Sequence, residues 1–199
     1  MNLNFFTLNG NYYILIVDYY SRDFEICNVE RTIDSKELLT KFKKVFSRHG
    51  ICDTLFTDNA SVYSSSEFAR FCNDWKIEHI TSSPLYSQSN GFCERFCQVA
   101  KNLLKKSDDI YLALLNYRTT PLPNGFTPAQ LSMGRQLKTL VPCHPDQLLP
   151  KSIDCNTLQE REREYRNKMA KDYNRRHRVV ANDDFEVGDH VYISDCKTK

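Results

Sequence analysis

The run Asn2-Leu3-Asn4-Phe5-Phe6-Thr7-Leu8-Asn9-Gly10-Asn11-Tyr12-Tyr13-Ile14-Leu15-Ile16-Val17-Asp18 reads as two β-rich segments joined by an Asn-Gly turn. Asn-Gly suits a tight hairpin because both central residues of a type I′ turn take positive φ. With Asn9 and Gly10 in the turn, residue 8 faces residue 11, and counting outward sets Asn4 opposite Leu15. The apolar run continues to Tyr20, and a Ser21-Arg22-Asp23 turn separates it from a third β-rich run, Phe24 to Val29. These three segments make a meander.

Downstream the period changes. Leu38, Leu39, Phe42, Val45 and Phe46 fall at helical spacing within Ser35 to His49, and Gly50 stands where a helix stop belongs. Thr54 to Thr57 reads as a buried strand that ends in Asp58. Ser66 is a candidate cap for a helix with a Phe68, Phe71, Cys72 and Trp75 stripe, and Glu78 to Thr81 is a last short strand. Ser82 to Gly91 is a polar loop, and Glu94 opens a run with helical period. Ile110 to Tyr117 is a further helix, and prolines punctuate an extended segment from Pro121 to Pro150. The order, three strands and then helix, strand, helix, strand, helix, is that of an RNase H-like α/β fold: a mixed sheet flanked by helices, here followed by a basic helical tail.

At 199 residues the chain holds one core domain of ordinary size plus that tail. A formal net charge of +2 leaves bulk electrostatics silent about partners. Between Asn156 and Arg178, however, eight Lys and Arg stand against four Asp and Glu, which reads as a solvated helix or as a basic arm touching phosphates. The eight cysteines form no Cys-x-x-Cys pair, so no zinc or disulfide framework is expected. Cys93 and Cys97 share a helical face without a spaced His partner. The sequence has no apolar run of transmembrane length and no signal peptide, so no membrane association is expected and a nuclear or cytoplasmic setting fits.

Asp58 and Glu94 have 35 residues between them, and each sits in a recognisable context. Thr57-Asp58-Asn59, Ser82-Ser83-Pro84, Gln88-Ser89-Asn90-Gly91, Glu94-Arg95, Tyr117-Arg118-Thr119-Thr120-Pro121 and Thr127-Pro128-Ala129-Gln130-Leu131-Ser132-Met133-Gly134-Arg135 follow one another in order. Together they resemble the integrase catalytic core of gypsy-type retrotransposons and retroviruses, over roughly Met1 to Pro142. The resemblance implies three acids, Asp, Asp and Glu, holding two Mg²⁺ or Mn²⁺ ions that activate a nucleophile and stabilise the leaving oxygen at phosphorus. Asp58 and Glu94 match the second and third acids, as metal ligands and catalytic residues. The first falls on Asn4, where the carboxylate is missing. Asp18 is no substitute, because three residues at ~3.4 Å each put it about 10 Å from the level of Asn4. The two ions lie only about 3.5 to 4 Å apart.

An asparagine offers one neutral carbonyl oxygen and a donor amide, so it can neither bridge two cations nor neutralise them. Two other departures are Ala60 in place of the family's glycine and Phe92-Cys93 in place of Gln-Ala. The resemblance further implies DNA contact by Asn90, Arg95, Gln98, Lys101 and Lys105. Gln98, Lys101 and Lys105 share Glu94's helical face, which reads equally as a solvated face. Phe92, Phe96, Ala100 and Leu103 form the opposite, core stripe. The family's amino-terminal zinc module is expected to be absent, since the chain opens almost at the first strand.

The expected organisation is a catalytic-core-like domain over 1–142, a linker and basic helix over 143–182, and the opening of an SH3-like module over 183–199. The expected function is a retroelement-derived, DNA-binding integrase core with strand transfer lost. An active Mg-dependent DNA integrase and a protein-interaction module, with homodimers formed through the core, are the other classes left open.

Overall fold

The computed structural model describes residues 1–30, 34–82 and 91–178. The elements are β1 (Asn2–Leu8), β2 (Asn11–Val17), β3 (Phe24–Val29), α1 (Ser35–His49), β4 (Thr54–Thr57), α2 (Ser66–Asp74), β5 (Glu78–Thr81), α3 (Gly91–Lys106), α4 (Ile110–Thr119), α5 (Pro128–Met133) and α6 (Cys155–His177). Short 3₁₀ turns cover Ser61–Ser64 and Pro145–Leu148.

Asn9 and Gly10 take φ of 50° and 78°, the positive values that a type I′ turn needs. The hairpin register follows, with Asn4 opposite Leu15. β3 adds antiparallel to β2, while β4 adds parallel to β1 and β5 parallel to β4, giving a mixed sheet of order β3-β2-β1-β4-β5. Ile14 to Val17 of β2 are all buried, as befits a strand covered on both faces. Alternation along the strands divides the core. Leu3, Ile14, Ile16 and Leu55 pack against α1 and α2 through Leu38, Phe42, Phe68 and Phe71. Phe6, Leu15, Val17 and Phe24 pack against α3 and α4 through Cys93, Phe96, Ala100 and Leu114. This two-layered burial is the RNase H-like α/β architecture expected from the order of elements.

Local signals explain most boundaries. The Asp34 carboxylate caps α1 at the Lys36 amide, and Gly50 ends it at φ 84°. The cap of α2 is Ser65, one residue before the serine expected: its hydroxyl accepts from the Phe68 amide at 3.2 Å. Within the Pro121 to Pro150 segment, expected to be extended throughout, Pro128–Met133 is helical. Thr127 and Gln130 form a reciprocal capping box there, with proline in the first turn. The basic helix is α6, with Leu158 buried against the domain. The expected SH3-like opening at 183–199 lies outside the described residues.

One polar cluster ties these layers together. Arg118 of α4 donates to Asp23 Oδ1 at 2.8 Å, to the Phe24 carbonyl at 3.1 Å and to Glu25 Oε1 at 3.2 Å. Glu25 also meets His49 at 2.9 Å and Arg48 at 3.2 Å, both on α1. Tyr117 donates to the Arg22 carbonyl at 2.7 Å. Burial alone would raise the Glu25 carboxyl. The His49 hydrogen bond and the Arg118 and Arg48 charges outweigh burial and bring it from 4.5 down to about 2.

Because Glu25 is depressed in the folded state, its stabilising contribution is complete above about 4.5 and disappears as pH falls toward about 2. Arg118→Ala leaves Asp23 buried without its cation and is expected to cost about 3 kcal/mol or more. It also moves the onset of acid unfolding to higher pH. Urea melts of parent and variant across this pH range check both effects, and coincident acid limbs would remove Arg118 from the account.

Candidate functional site

β1 and β4 pair parallel at Asn2 and Phe56. Carried two residues further, that register sets Asn4 level with Asp58, just past the last residue of β4. The Asp58 Oδ1 accepts the Ala60 amide at 3.1 Å, turning the chain into the 3₁₀ turn. Ala60 itself has φ −63° and ψ 142°, so alanine fits here without the positive φ that would call for glycine. The parity that sends Phe6 toward α3 sends Asn4 the same way, and Glu94 stands exposed in the first turn of α3. A cavity of 830 Å³ is lined by Asn4, Phe6, Ala60, Glu94, Gln98 and Lys101, among others.

Lys101 holds its ammonium 5.7 Å from the Phe6 ring centroid, a cation–π distance, and Gln98 donates to Asn102 at 3.1 Å. Arg95 and Lys105 are exposed on α3 outside the cavity wall, and Asn90 lies outside the described residues. Asp18 belongs elsewhere. Its Oδ2 accepts from the Ser21 amide at 2.9 Å and the Ser21 hydroxyl at 2.7 Å. It lines a separate 580 Å³ cavity with Asp23, Arg48 and His49.

Asn4 and Cys97 are polar neighbours of the buried Cys93 thiol; Cys97 beside it, together with burial, pushes Cys93 well above the ordinary thiol range. The Asp58 charge reaches Cys93 as well. Asn4 and Cys93 are therefore neighbours at the start of α3. Phe92 is used in another direction: it stacks on Tyr19 at 4.2 Å and carries the Arg22 guanidinium 5.0 Å from its ring centroid. Phe92 does pack against the core beside Phe96, as the core stripe expected, but sequence reasoning missed the closeness of Asn4 to Cys93 and the Phe92 stack on Tyr19. The Cys93 and Cys97 spacing was the one visible signal for the first, and none existed for the Tyr19 stack.

Among the described residues, no group of three or more His, Cys, Asp or Glu side chains converges to hold a metal ion. The single neutral oxygen of an asparagine amide cannot supply the charged bridging oxygens that a two-ion cluster requires. The residues present do not fit two divalent ions, and no reaction step is derived through them.

The fold and this strand-end geometry agree with what the chain is similar to. The integrase core domain family model matches residues 5–87, a span that includes Asp58 but neither Asn4 nor Glu94. An uncharacterized Caenorhabditis elegans protein is 33% identical over 142 residues, covering 66% of this chain and 11% of that protein. The Gag-Pro-Pol polyprotein of sheep pulmonary adenomatosis virus is 42% identical over 69 residues, 33% of this chain and 4% of the polyprotein. The simian T-cell lymphotropic virus intasome, solved in complex with PP2A regulatory subunit B56 gamma, superposes with a TM-score of 0.59 at 24% identity. That match covers 72% of this chain and 56% of the other. The HTLV-2 integrase catalytic core domain in complex with magnesium, in a trimeric form, gives a TM-score of 0.52 at 24% identity, covering 65% of this chain and 91% of that one. This chain belongs to the retroviral integrase superfamily, with an integrase core domain of retroviral or retroelement type. It spans only 11% of the Caenorhabditis elegans protein and 4% of the sheep virus polyprotein.

Alkylation followed by peptide mass spectrometry tests the Asn4 contact from the sulfur side. Cys143 and Cys155 are exposed and react at once, while Cys93 is fully buried and reacts only on unfolding. Native labelling of Cys93 at the rate of Cys155 would put that thiol at the surface and break the contact.

Proposed function

We propose that this chain is a DNA-binding integrase core in which strand transfer has been lost at position 4. The observation that carries this reading is the placement of Asn4: the β1–β4 register sets it level with Asp58, and it lines the same cavity as Glu94 with a neutral amide where a carboxylate would be needed. Asp58 and Glu94 are the two residues that would hold a single Mg²⁺ or Mn²⁺ weakly. Two divalent ions would bring four positive charges against these two negative ones, with no third carboxylate to offset the excess. The HTLV-2 core was solved with magnesium, and its acids make the natural comparison.

DNA binding would use the exposed face of α3. Lys101 borders the cavity, Lys105 follows about one turn later and Arg95 and Gln98 flank them, so cations point toward a strand lying along the helix. The loop residue Asn90 joins this set on the family resemblance alone. Core-to-core pairing accompanies this reading, in line with the dimeric and trimeric forms of the HTLV-2 core. So does a nuclear or cytoplasmic location. Among the described residues no helix is long and apolar enough to cross a membrane.

Purified protein is expected to show no Mg²⁺- or Mn²⁺-dependent cleavage or joining of DNA ends. Clear joining that Asp58→Ala abolishes would return the chain to the active integrases. Asn4→Asp supplies the missing oxygens, so its melting temperature should rise on adding Mg²⁺ by more than the parent's does, since a ligand held only by the folded state stabilises it. Identical responses from the two proteins would mean that position 4 is not where metal binding was lost.

The DNA arm has its own readout. Lys101→Ala with Lys105→Ala should lower the salt slope of duplex binding by about 1.8, at roughly 0.9 for each phosphate no longer neutralised. An unchanged slope would take α3 out of the interface.

A further inference from the structure

Away from the candidate metal site, a second cleft of 410 Å³ opens between the β2–β3 turn and α6. Its walls include Tyr19, Tyr20, Arg22, Glu162, Arg163 and Arg166. Tyr19 is fixed. Its ring stacks on Phe92 at 4.2 Å and meets Phe56 edge-on at 5.9 Å, and its hydroxyl accepts from the Asn2 amide at 3.1 Å. Tyr20, next in the turn, is 55% exposed and enters no aromatic pair among the described residues. One aromatic is thus locked as a floor and its neighbour is free to stack.

The charges on the facing helix are unbalanced. Glu162 is satisfied by Arg22 at 3.2 Å and Asn124 at 2.7 Å. Arg166 reaches the same carboxylate only at 3.9 Å with 76% of its side chain exposed, and Arg163 forms no ion pair among the described residues. Arg163 and Arg166 are three apart, hence neighbours on one helix face. An aromatic platform beside unneutralised arginines is the recognition chemistry of an unpaired nucleic-acid strand, in which a base stacks on the ring and phosphates meet the guanidiniums.

The cleft also has an address. Phe92, whose ring supports Tyr19, precedes Glu94 on α3 by two residues, about 3 Å along the helix axis. Phe92 thus ties the floor of the cleft to the helix that carries Glu94. Duplex DNA presents its bases stacked and paired, so only a frayed or overhanging end could use Tyr20.

We infer that the cleft between Tyr20 and the Arg163–Arg166 face of α6 binds a single-stranded DNA segment, a site separate from the duplex contact along α3. The inference rests on the DNA-binding reading for its biological setting and on the cleft alone for its chemistry.

Fluorescence anisotropy on the full chain, with a short labelled oligothymidylate and a blunt duplex as separate probes, tests it. Tyr20→Ala should weaken oligothymidylate binding about tenfold, the loss of one stacked base, and leave duplex binding within about twofold. Tyr20→Trp should restore it. Arg163→Ala with Arg166→Ala should lower the single-strand salt slope by about 1.4, at roughly 0.7 per phosphate. These side chains are exposed or surface-lining, and an unchanged melting temperature confirms that each variant is folded.

Oligothymidylate binding that Tyr20→Ala leaves intact overturns the inference. So does a mass in light scattering that falls to the monomer with Tyr20→Ala while oligothymidylate binding persists, because the cleft would then hold a second copy of the chain. The two readings fail separately. A parent that binds oligothymidylate through Tyr20 but not duplex sinks the α3 interface and keeps the cleft. A parent whose single-strand and duplex binding both depend on Lys101 and Lys105 alone does the reverse.

Discussion

The β1–β2 register is the constraint on which the site depends. Side chains alternate with a period of two along a strand, so a slip of one residue would move Asn4 from the α3 face to the α1 face and send Leu3 the other way. Two features prevent the slip. Asn9 and Gly10 accept the positive φ of a two-residue turn, which leaves no spare residue in the loop. Leu3 and Phe6 are buried on opposite faces of the same strand, each fitted to a different set of helix side chains, so a shifted register would exchange the two sets and misfit both. The identity of residue 4 therefore matters chemically because the turn decides where it points.

What the hairpin sets at one end, the Arg118 cluster holds at the other. α4, β3 and α1 contribute Arg118, Asp23 with Glu25, and Arg48 with His49, and none of these groups pairs within its own element alone. The Tyr117-Arg118-Thr119-Thr120-Pro121 motif that carried part of the family resemblance thus has a structural use. It anchors the helix after α3 to the β2–β3 turn, the same turn that presents Tyr19 and Tyr20. Gly125 shows how closely the tail packs beyond that anchor: it has φ 84°, and a Cβ there would lie 2.8 Å from the Arg161 guanidinium of α6.

Local cues explain how much was legible in the sequence. α1, β3, β4 and β5 end where the periodicity, Gly50 and the turn residues say they should, because those signals act within a few residues. Asn4 opposite Leu15 was legible for the same reason, with a two-residue turn linking the strands. The helix at Pro128–Met133 was hidden by the prolines around it, although Pro128 at its start favours a helix and Thr127 with Gln130 spells a capping box. The Asn4–Cys93 proximity had only the Cys93 and Cys97 spacing to hint at it, and the Tyr19–Phe92 contact had no signal at all. Each joins strand-end residues to the start of α3 across most of the domain, and neither residue type at either end announces a partner.

Those two contacts explain why the departures at Phe92 and Cys93 are better treated as parts of two sites than as drift in one. Adjacent residues on a helix point about 100° apart. Cys93 turns inward, is fully buried and lies beside Asn4, while Phe92 is half-buried at the edge of the core, against Phe96 at 4.8 Å, and supports Tyr19. A carboxylate at position 4 would bring a second negative charge near Asp58 and beside a buried thiol, and that charge would be disfavoured by burial and by Asp58. The asparagine avoids that conflict, since its amide can donate to sulfur without carrying charge. A neutral amide at position 4 and a neutral thiol at position 93 are thus compatible neighbours. Placing an acid at position 4 alone supplies oxygen ligands in a corner still crowded by the thiol, so Asn4→Asp with Cys93→Ala is the pair in which the metal site would be least opposed.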